Sequence, residues 1–210
     1  MDLLEKISEE LQNGNFIDVP KMTQEALDRG LSPAVILSDA LVAGMDVVGE
    51  KFRREELFLP EVLIAAKAMQ AAMAVLRPRL IATGAKAAGT IVIGTIQGDL
   101  HDIGKNLVGM LFEGAGYQVI DLGVDVAPAR FVEAARTHKS DFVGLSAMLT
   151  TTMPRMREVI ESLAEAGMRD RLKVMVGGAP VTEQFARDIG ADGYAPDAAS
   201  AVEKARTLKS

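Results

Sequence analysis

The sequence predicts an α/β protein in two parts: an N-terminal four-helix bundle, then a doubly wound parallel sheet of five strands. Three observations carry this. Up to about residue 80 the apolar residues recur only at helical spacing. From residue 90 short β-rich runs alternate with helical ones. An Ala- and Gly-rich connection, "ATGAKAAG" at 82–89, separates the two rhythms and sets the domains at 1–85 and 86–210.

In the first part, Leu3, Leu4, Ile7 and Leu11 mark one stripe of a first helix, which "NGN" at 13–15 breaks. A second helix is expected through "DVPKMTQEALDR", ending at Gly30. Ser32-Pro33 is a start signal, a capping residue followed by proline at the first helical position. From there Leu37, Leu41, Met45, Val48 and Phe52 continue one face. A fourth helix is expected from Pro60, carrying Leu63, Ala66, Met69, Met73 and Leu76, with Arg77-Pro78 as its stop. Helices of this length on short connections form an up-down bundle.

In the second part the strands are "TIVIGT", "YQVIDLG", "DFVGLSA", "LKVMVGG" and a weak run near "ADGYA". Helical segments fall at about 104–115, 127–138, 153–167, 181–189 and 197–208. Strands buried on both faces and joined by helices give a parallel, flavodoxin/Rossmann-like sheet. Ligands bind such sheets beyond the carboxyl ends of the strands, where strand order reverses. The first βα turn, "GTIQGDLHDIGKN" at 94–106, belongs there.

Composition narrows the chemistry. With no cysteine, iron–sulfur clusters, thiolate zinc sites and thiol nucleophiles are excluded, and a cytoplasmic setting is expected. A net charge of −6, no basic run, no Trp and two Tyr argue against nucleic acid as a partner. No run of about 18 uncharged apolar residues reads as a membrane span, so no membrane partner is expected.

The turn holds one of the chain's two histidines, His101, between Asp99 and Asp102. A phosphate loop fails: five residues separate Gly98 from Gly104, Asn106 stands where a hydroxyl would hold magnesium, and both aspartates would repel phosphate. A purely structural histidine is one remaining reading, and it is the one adopted for His138 in "RTHKSD". Metal ligation is the other. A ligating imidazole commonly donates its second N–H to a carboxylate, a role open to Asp99. One histidine is too few for zinc, but it suffices where a macrocycle supplies the other ligands.

Asp99, His101 and Gly104, as Asp-x-His-x-x-Gly, resemble the signature of cobalamin-binding domains. Downstream, Ser146 with Met148 stands for that family's Ser-x-Leu, and Gly177-Gly178 for its Gly-Gly. Met for Leu at 148 conserves volume. The resemblance implies a cobalamin, or a related corrinoid, whose benzimidazole tail is withdrawn from cobalt and buried, with His101 as lower axial ligand to cobalt. It places Asp102, Ile103 and Gly104 at the cofactor. It gives Gly177 and Gly178 to close approach of the tail, and Ser146 and Thr150 to hydrogen bonds with tail or corrin amides. Thr152 stands where methionine synthase-like members extend the histidine–aspartate relay with a serine.

"GMDVVGEKFRREELFLPEVL" at 44–63 resembles the helical cap of corrinoid methyl carriers, with Phe52 and Leu59 at the positions that cover the cobalt–methyl bond. On residue type alone these two could equally staple neighbouring helices. The whole chain is similar to the small corrinoid proteins of methyltransferase systems and to the cap plus cobalamin domains of cobalamin-dependent methionine synthase. That implies a carrier which accepts a methyl group on cobalt from a substrate-specific methyltransferase. It passes the group to a second methyltransferase, with a thiol or tetrahydrofolate as acceptor. Turnover would need those partners and a reductive activase. His101 is expected to bind and release during the cycle, with Asp99 helping to hold its proton and the "GAKAAG" connection as hinge. The competitors are the cobalamin subunit of a carbon-skeleton mutase, which would not need the cap, a corrinoid-sensing regulator, and a delivery protein without turnover.

Overall fold

A computed structural model describes residues 2–83 and 87–209, apart from the side chain of Ile81. Part of the expected hinge, Gly84 to Lys86, and with it the expected domain boundary, lies outside the described residues. The chain divides into two compact units, Met1–Ala88 with Met110–Gly116, and Gly89–Gly109 with Tyr117–Ser210.

The first unit is helical. α1 (Leu3–Gln12) opens on a capping box: Asp2 takes the first-turn N–H groups while Glu5 accepts from the Asp2 N–H. α2 (Asp18–Asp28) holds Pro20 in its first turn, where the missing N–H has no partner to lose. The third rod is continuous but not uniform. α3 (Pro33–Val35) passes into a π-helical segment, Ile36–Val42, and then α4 (Ala43–Arg53). The wider turn changes which side chains are inside: Ile36, Ala40, Leu41, Met45 and Val48 are buried, while Leu37 is only half-buried.

α5 (Leu59–Thr83) corrects two expectations. It runs through Pro78, because Leu76 and Leu80, four residues apart across the proline, are both buried and pull the helix onward. The carbonyl that Pro78 deprives of a donor belongs to the exposed Ala74, where water can satisfy it. Its buried stripe starts at Val62 and continues through Ala65, Met69 and Ala72, while Leu63 is 38% exposed. By length and composition alone Leu59–Leu80 is long and apolar enough to cross a membrane, although Lys67 leaves it without the uncharged run expected of a membrane span. Burial of that stripe accounts for part of its apolar content, while Leu63 and Ile64 stay exposed.

The second unit is the expected parallel sheet. Its strands are β1 (Thr90–Thr95), β2 (Gln118–Asp121), β3 (Phe142–Ser146), β4 (Lys173–Gly177) and β5 (Gly193–Tyr194), in spatial order 2-1-3-4-5. Order reverses between β1 and β3, which opens a crevice at their carboxyl ends. The helices are α6 (Ile103–Gly114), α7 (Pro128–His138), α8 (Pro154–Glu165), α9 (Glu183–Asp188) and α10 (Ala198–Lys209). Val92, Val143, Val174, Phe131, Met156 and Val159 form the core between the sheet and α7 with α8. Gly109 of α6 lies against Ile93 on the other face, where a Cβ would come within 2.9 Å of the Ile93 Cδ1. The register aligns Thr95, Ser146 and Gly177 in one row at the carboxyl edge.

Candidate corrinoid-binding site

Beyond Thr95 the chain continues as an extension of β1: Ile96 N–H donates to the Ser146 carbonyl at 3.1 Å, and Ile96 bridges to Val126. Gly98, with φ +87°, then turns the chain, a conformation that glycine takes without strain. The turn brings Asp99 into the crevice, where it is fully buried.

The Asp99 carboxylate is a hub. Its Oδ1 accepts from His101 N–H at 3.1 Å and lies 2.7 Å from His101 Nδ1. Its Oδ2 accepts from the Met148 and Leu149 N–H groups at 2.7 and 3.2 Å and from the Thr152 hydroxyl at 2.9 Å. One side chain thus ties the loop after β1 to the loop after β3. Burial alone would raise the pKa of Asp99. The hydrogen bonds from Met148, His101 and Thr152 outweigh it and hold the carboxyl well below the usual carboxylate range.

An ionised Asp99 can only accept, so Nδ1 of His101 carries the shared proton. The ring is fixed in the tautomer that keeps the Nε2 lone pair free, and among the described residues Nε2 has no partner. The side chain is 55% exposed. The His101 carbonyl accepts from the fully buried Thr95 hydroxyl at 2.8 Å, which anchors the residue from the sheet side.

Four apolar side chains on these two loops and the start of α6 are left in solvent: Leu100 (71% exposed), Ile103 (73%), Met148 (48%) and Leu149 (41%). Gly104 adds open space, since a Cβ there would meet nothing within 4 Å. Exposed apolar groups clustered on neighbouring loops mark a binding surface rather than a solvated one.

Among the sequence-derived candidates, Asp99, His101, Met148 and Thr152 come together directly. Ser146 is half-buried in the row with Thr95 and Gly177. The Asp102 carboxylate is turned to α6 instead, accepting from the Asn106 side-chain amide at 3.1 Å, while its backbone carbonyl accepts from the Asn106 N–H at 2.8 Å. Thr150 is exposed in the loop after β3. Gly178, at φ +127°, makes a close approach to protein: a Cβ would lie 1.8 Å from the Ala147 carbonyl oxygen. Phe52 and Leu59 are half-buried in the helical unit, at the end of α4 and the start of α5, with Phe58 between them 65% exposed.

Thr95, Asp125, Leu100 and Leu149 escaped sequence reasoning. Leucine between two acids in "DLHD" was a usable signal, because an apolar residue in so polar a turn needs a partner. Lys105 is nearly buried in the first turn of α6, bonded to Asp121 at 2.5 Å and Asn106 at 2.6 Å.

Among the described residues no three His, Cys, Asp or Glu side chains converge as metal ligands. His101 is a single fixed nitrogen donor beside apolar groups. That donor set fits a metal that arrives with its other ligands in a broad apolar ring.

Comparison with known proteins agrees. A B12 binding domain family matches residues 89–203, and a second B12 binding domain family matches residues 3–77. A corrinoid protein of Desulfitobacterium hafniense (strain Y51) is 42% identical over 99% of this chain and 98% of its own. Dimethylamine corrinoid protein 2 of Methanosarcina acetivorans is 50% identical over 85% of this chain and 83% of its own. The crystal structure of the methanol:cobalamin methyltransferase complex of Methanosarcina barkeri covers 98% of this chain and 79% of that one, at 33% identity and a TM-score of 0.87. The chain belongs to the B12 binding domain family and is a corrinoid-binding protein of the methyl-carrier type.

Proposed function

We propose that the protein carries methyl groups between two methyltransferases, holding its corrinoid with the tail displaced and His101 as lower axial ligand. The observation that carries this is the His101 imidazole, with Nδ1 fixed on buried Asp99 and Nε2 free beside Leu100, Ile103, Met148 and Leu149. When bound, the corrinoid supplies a cobalt centre that takes up and releases a methyl group.

The chain's own groups orient and tune. Asp99 fixes the ring's tautomer and orientation, as the carboxylate behind a ligating imidazole does. Asp99 stays ionised, and its carboxylate holds the Nδ1 proton of the ring. Thr152 completes the relay by donating to Asp99. Gly104 and Ile103 leave room and apolar surface for the ring, with Asp102 shaping the first turn of α6. Ser146, Thr150, Gly177 and Gly178 are assigned to the withdrawn tail, supported by the row that Ser146 and Gly177 share at the sheet edge.

Phe52 and Leu59 are assigned to cover the reactive bond and exclude water from it. Domains at 1–85 and 86–210 would divide cap from cofactor domain. The partners are a methyltransferase for a small methylated substrate, a second one with a thiol or tetrahydrofolate as acceptor, and a reductive activase. The cytoplasm is the proposed compartment. The match of a B12 binding domain family to the helical unit supports a carrier over a mutase subunit.

The test is to load the apoprotein with hydroxocobalamin, reduce to Co(II) and record paramagnetic-resonance spectra with ¹⁵N-labelled protein and unlabelled cofactor. Nitrogen splitting that follows the protein label, and is absent in His101→Ala, is expected. Splitting insensitive to the label would overturn axial ligation.

A further inference from the structure

We propose that Asp125, in the loop after β2, is a positioning residue for His101 that fixes the turn from which the imidazole projects. This rests on His101 being the axial ligand and goes beyond it, because Asp125 lies outside every motif element that pointed to the site.

Asp125 holds two consecutive residues of the turn. Its Oδ1 accepts from Gly98 N–H at 2.7 Å, and its own N–H donates to the Asp99 carbonyl at 3.0 Å. Both Asp125 (φ +53°) and Gly98 (φ +87°) are left-handed, a conformation costly for most residues and tolerated by Asp. The loop around Asp125 is held to the same strand extension. Thr95 N–H donates to the Gly123 carbonyl at 2.9 Å, and Val126 N–H donates to the Thr95 carbonyl at 3.0 Å.

The consequence reaches the ring through Asp99. The Asp99 carboxylate orients His101 through both its backbone and its ring nitrogen. That carboxylate can be aimed only if the Asp99 backbone is fixed, and Asp125 brackets that backbone. Donors on the loop after β3 hold one side of the hub, and Asp125 holds the other from the loop after β2.

Two variants separate acceptor from backbone. Asp125→Gly keeps the left-handed conformation and the N–H donor but removes the acceptor for Gly98. Asp125→Asn keeps an oxygen acceptor and tolerates the same φ. Each full-length protein is loaded with hydroxocobalamin, reduced and examined by paramagnetic resonance with ¹⁵N-labelled protein, alongside corrinoid titration and thermal melting of the apoprotein. The expected result is about a tenfold loss of corrinoid affinity in Asp125→Gly, the scale for removing a partner behind a metal ligand. A large base-off fraction should accompany it, with wild-type spectra restored in Asp125→Asn. Wild-type ligation and affinity in Asp125→Gly would overturn the proposal. Equal losses in both variants that merely track a lowered melting temperature would overturn it too, as a structural role. A wild-type spectrum insensitive to the protein label would instead remove axial ligation itself, and this inference with it.

Discussion

The Thr152 hydroxyl lies 2.9 Å from Oδ2 of Asp99 and 2.9 Å from the carbonyl oxygen of Leu149, with one proton to divide between them. The carboxylate is the stronger acceptor, so the relay from Thr152 through Asp99 to His101 is favoured over the local turn bond. Replacing Thr152 by Val removes the donor and leaves a methyl group against a buried charge. Hydrogen bonds to charged groups contribute about 1.5–3 kcal/mol, and Oδ2 retains two N–H donors, so a loss at the low end, about 1.5 kcal/mol, is expected. Thr152→Ser should restore most of it. Urea unfolding of the apoproteins measures both.

The depressed pKa of Asp99 gives acid unfolding a direction. A carboxyl with a lowered native pKa contributes stability that is complete above its ordinary value, about 3.9, and is lost as pH falls towards the native value. The stability gap between wild type and Asp99→Asn should therefore be constant from pH 7 to about 4.5 and shrink below about pH 4. Denaturant titrations at pH 7, 4.5 and 3 test this; a gap that stays constant at pH 3 would mean the carboxyl is not held ionised.

Gly104 and Gly178 make opposite predictions from the same substitution. Alanine at 104 meets open space at the start of α6 and should leave the apoprotein as stable or up to about 1 kcal/mol more so, from better helix propensity. Corrinoid affinity should fall at least tenfold if the space belongs to the cofactor. Alanine at 178 would press its Cβ into the Ala147 carbonyl at a positive φ and should cost about 2 kcal/mol or more before any ligand is added. Thermal melts of the apoproteins and corrinoid titrations separate the two cases.

Elements whose logic is local were legible in the sequence. The runs that became β1, β3 and β4 stood out because burial on both faces leaves continuous apolar stretches, while β2 at the edge is only half-buried; "DLH" declared the Asp99–His101 pair because both members share one turn. What escaped depends on distant partners. Pro78 reads as a stop until the buried Leu80 beyond it is known, and a π-helical segment leaves no mark on the spacing of Leu37, Leu41 and Met45. Asp125 carries no signal in "GVDVAP", since its worth lies in a hydrogen bond to Gly98, 27 positions earlier. Gly178 was legible as a close approach, but its neighbour in the folded chain is Ala147.

The saturation of Asp99 bears on how quickly and with what heat the cofactor is captured. Every donor that aims this carboxylate comes from the chain itself, so the hub that ties the loops after β1 and β3 together is built from protein groups alone. A receptor of this kind loses little conformational entropy on docking its ligand and holds back little of its population in incompetent forms. Capture should then proceed in a single kinetic phase whose rate rises linearly with corrinoid concentration. The heat-capacity change should match the apolar area of Leu100, Ile103, Met148 and Leu149 covered, with no added contribution from folding of a loop.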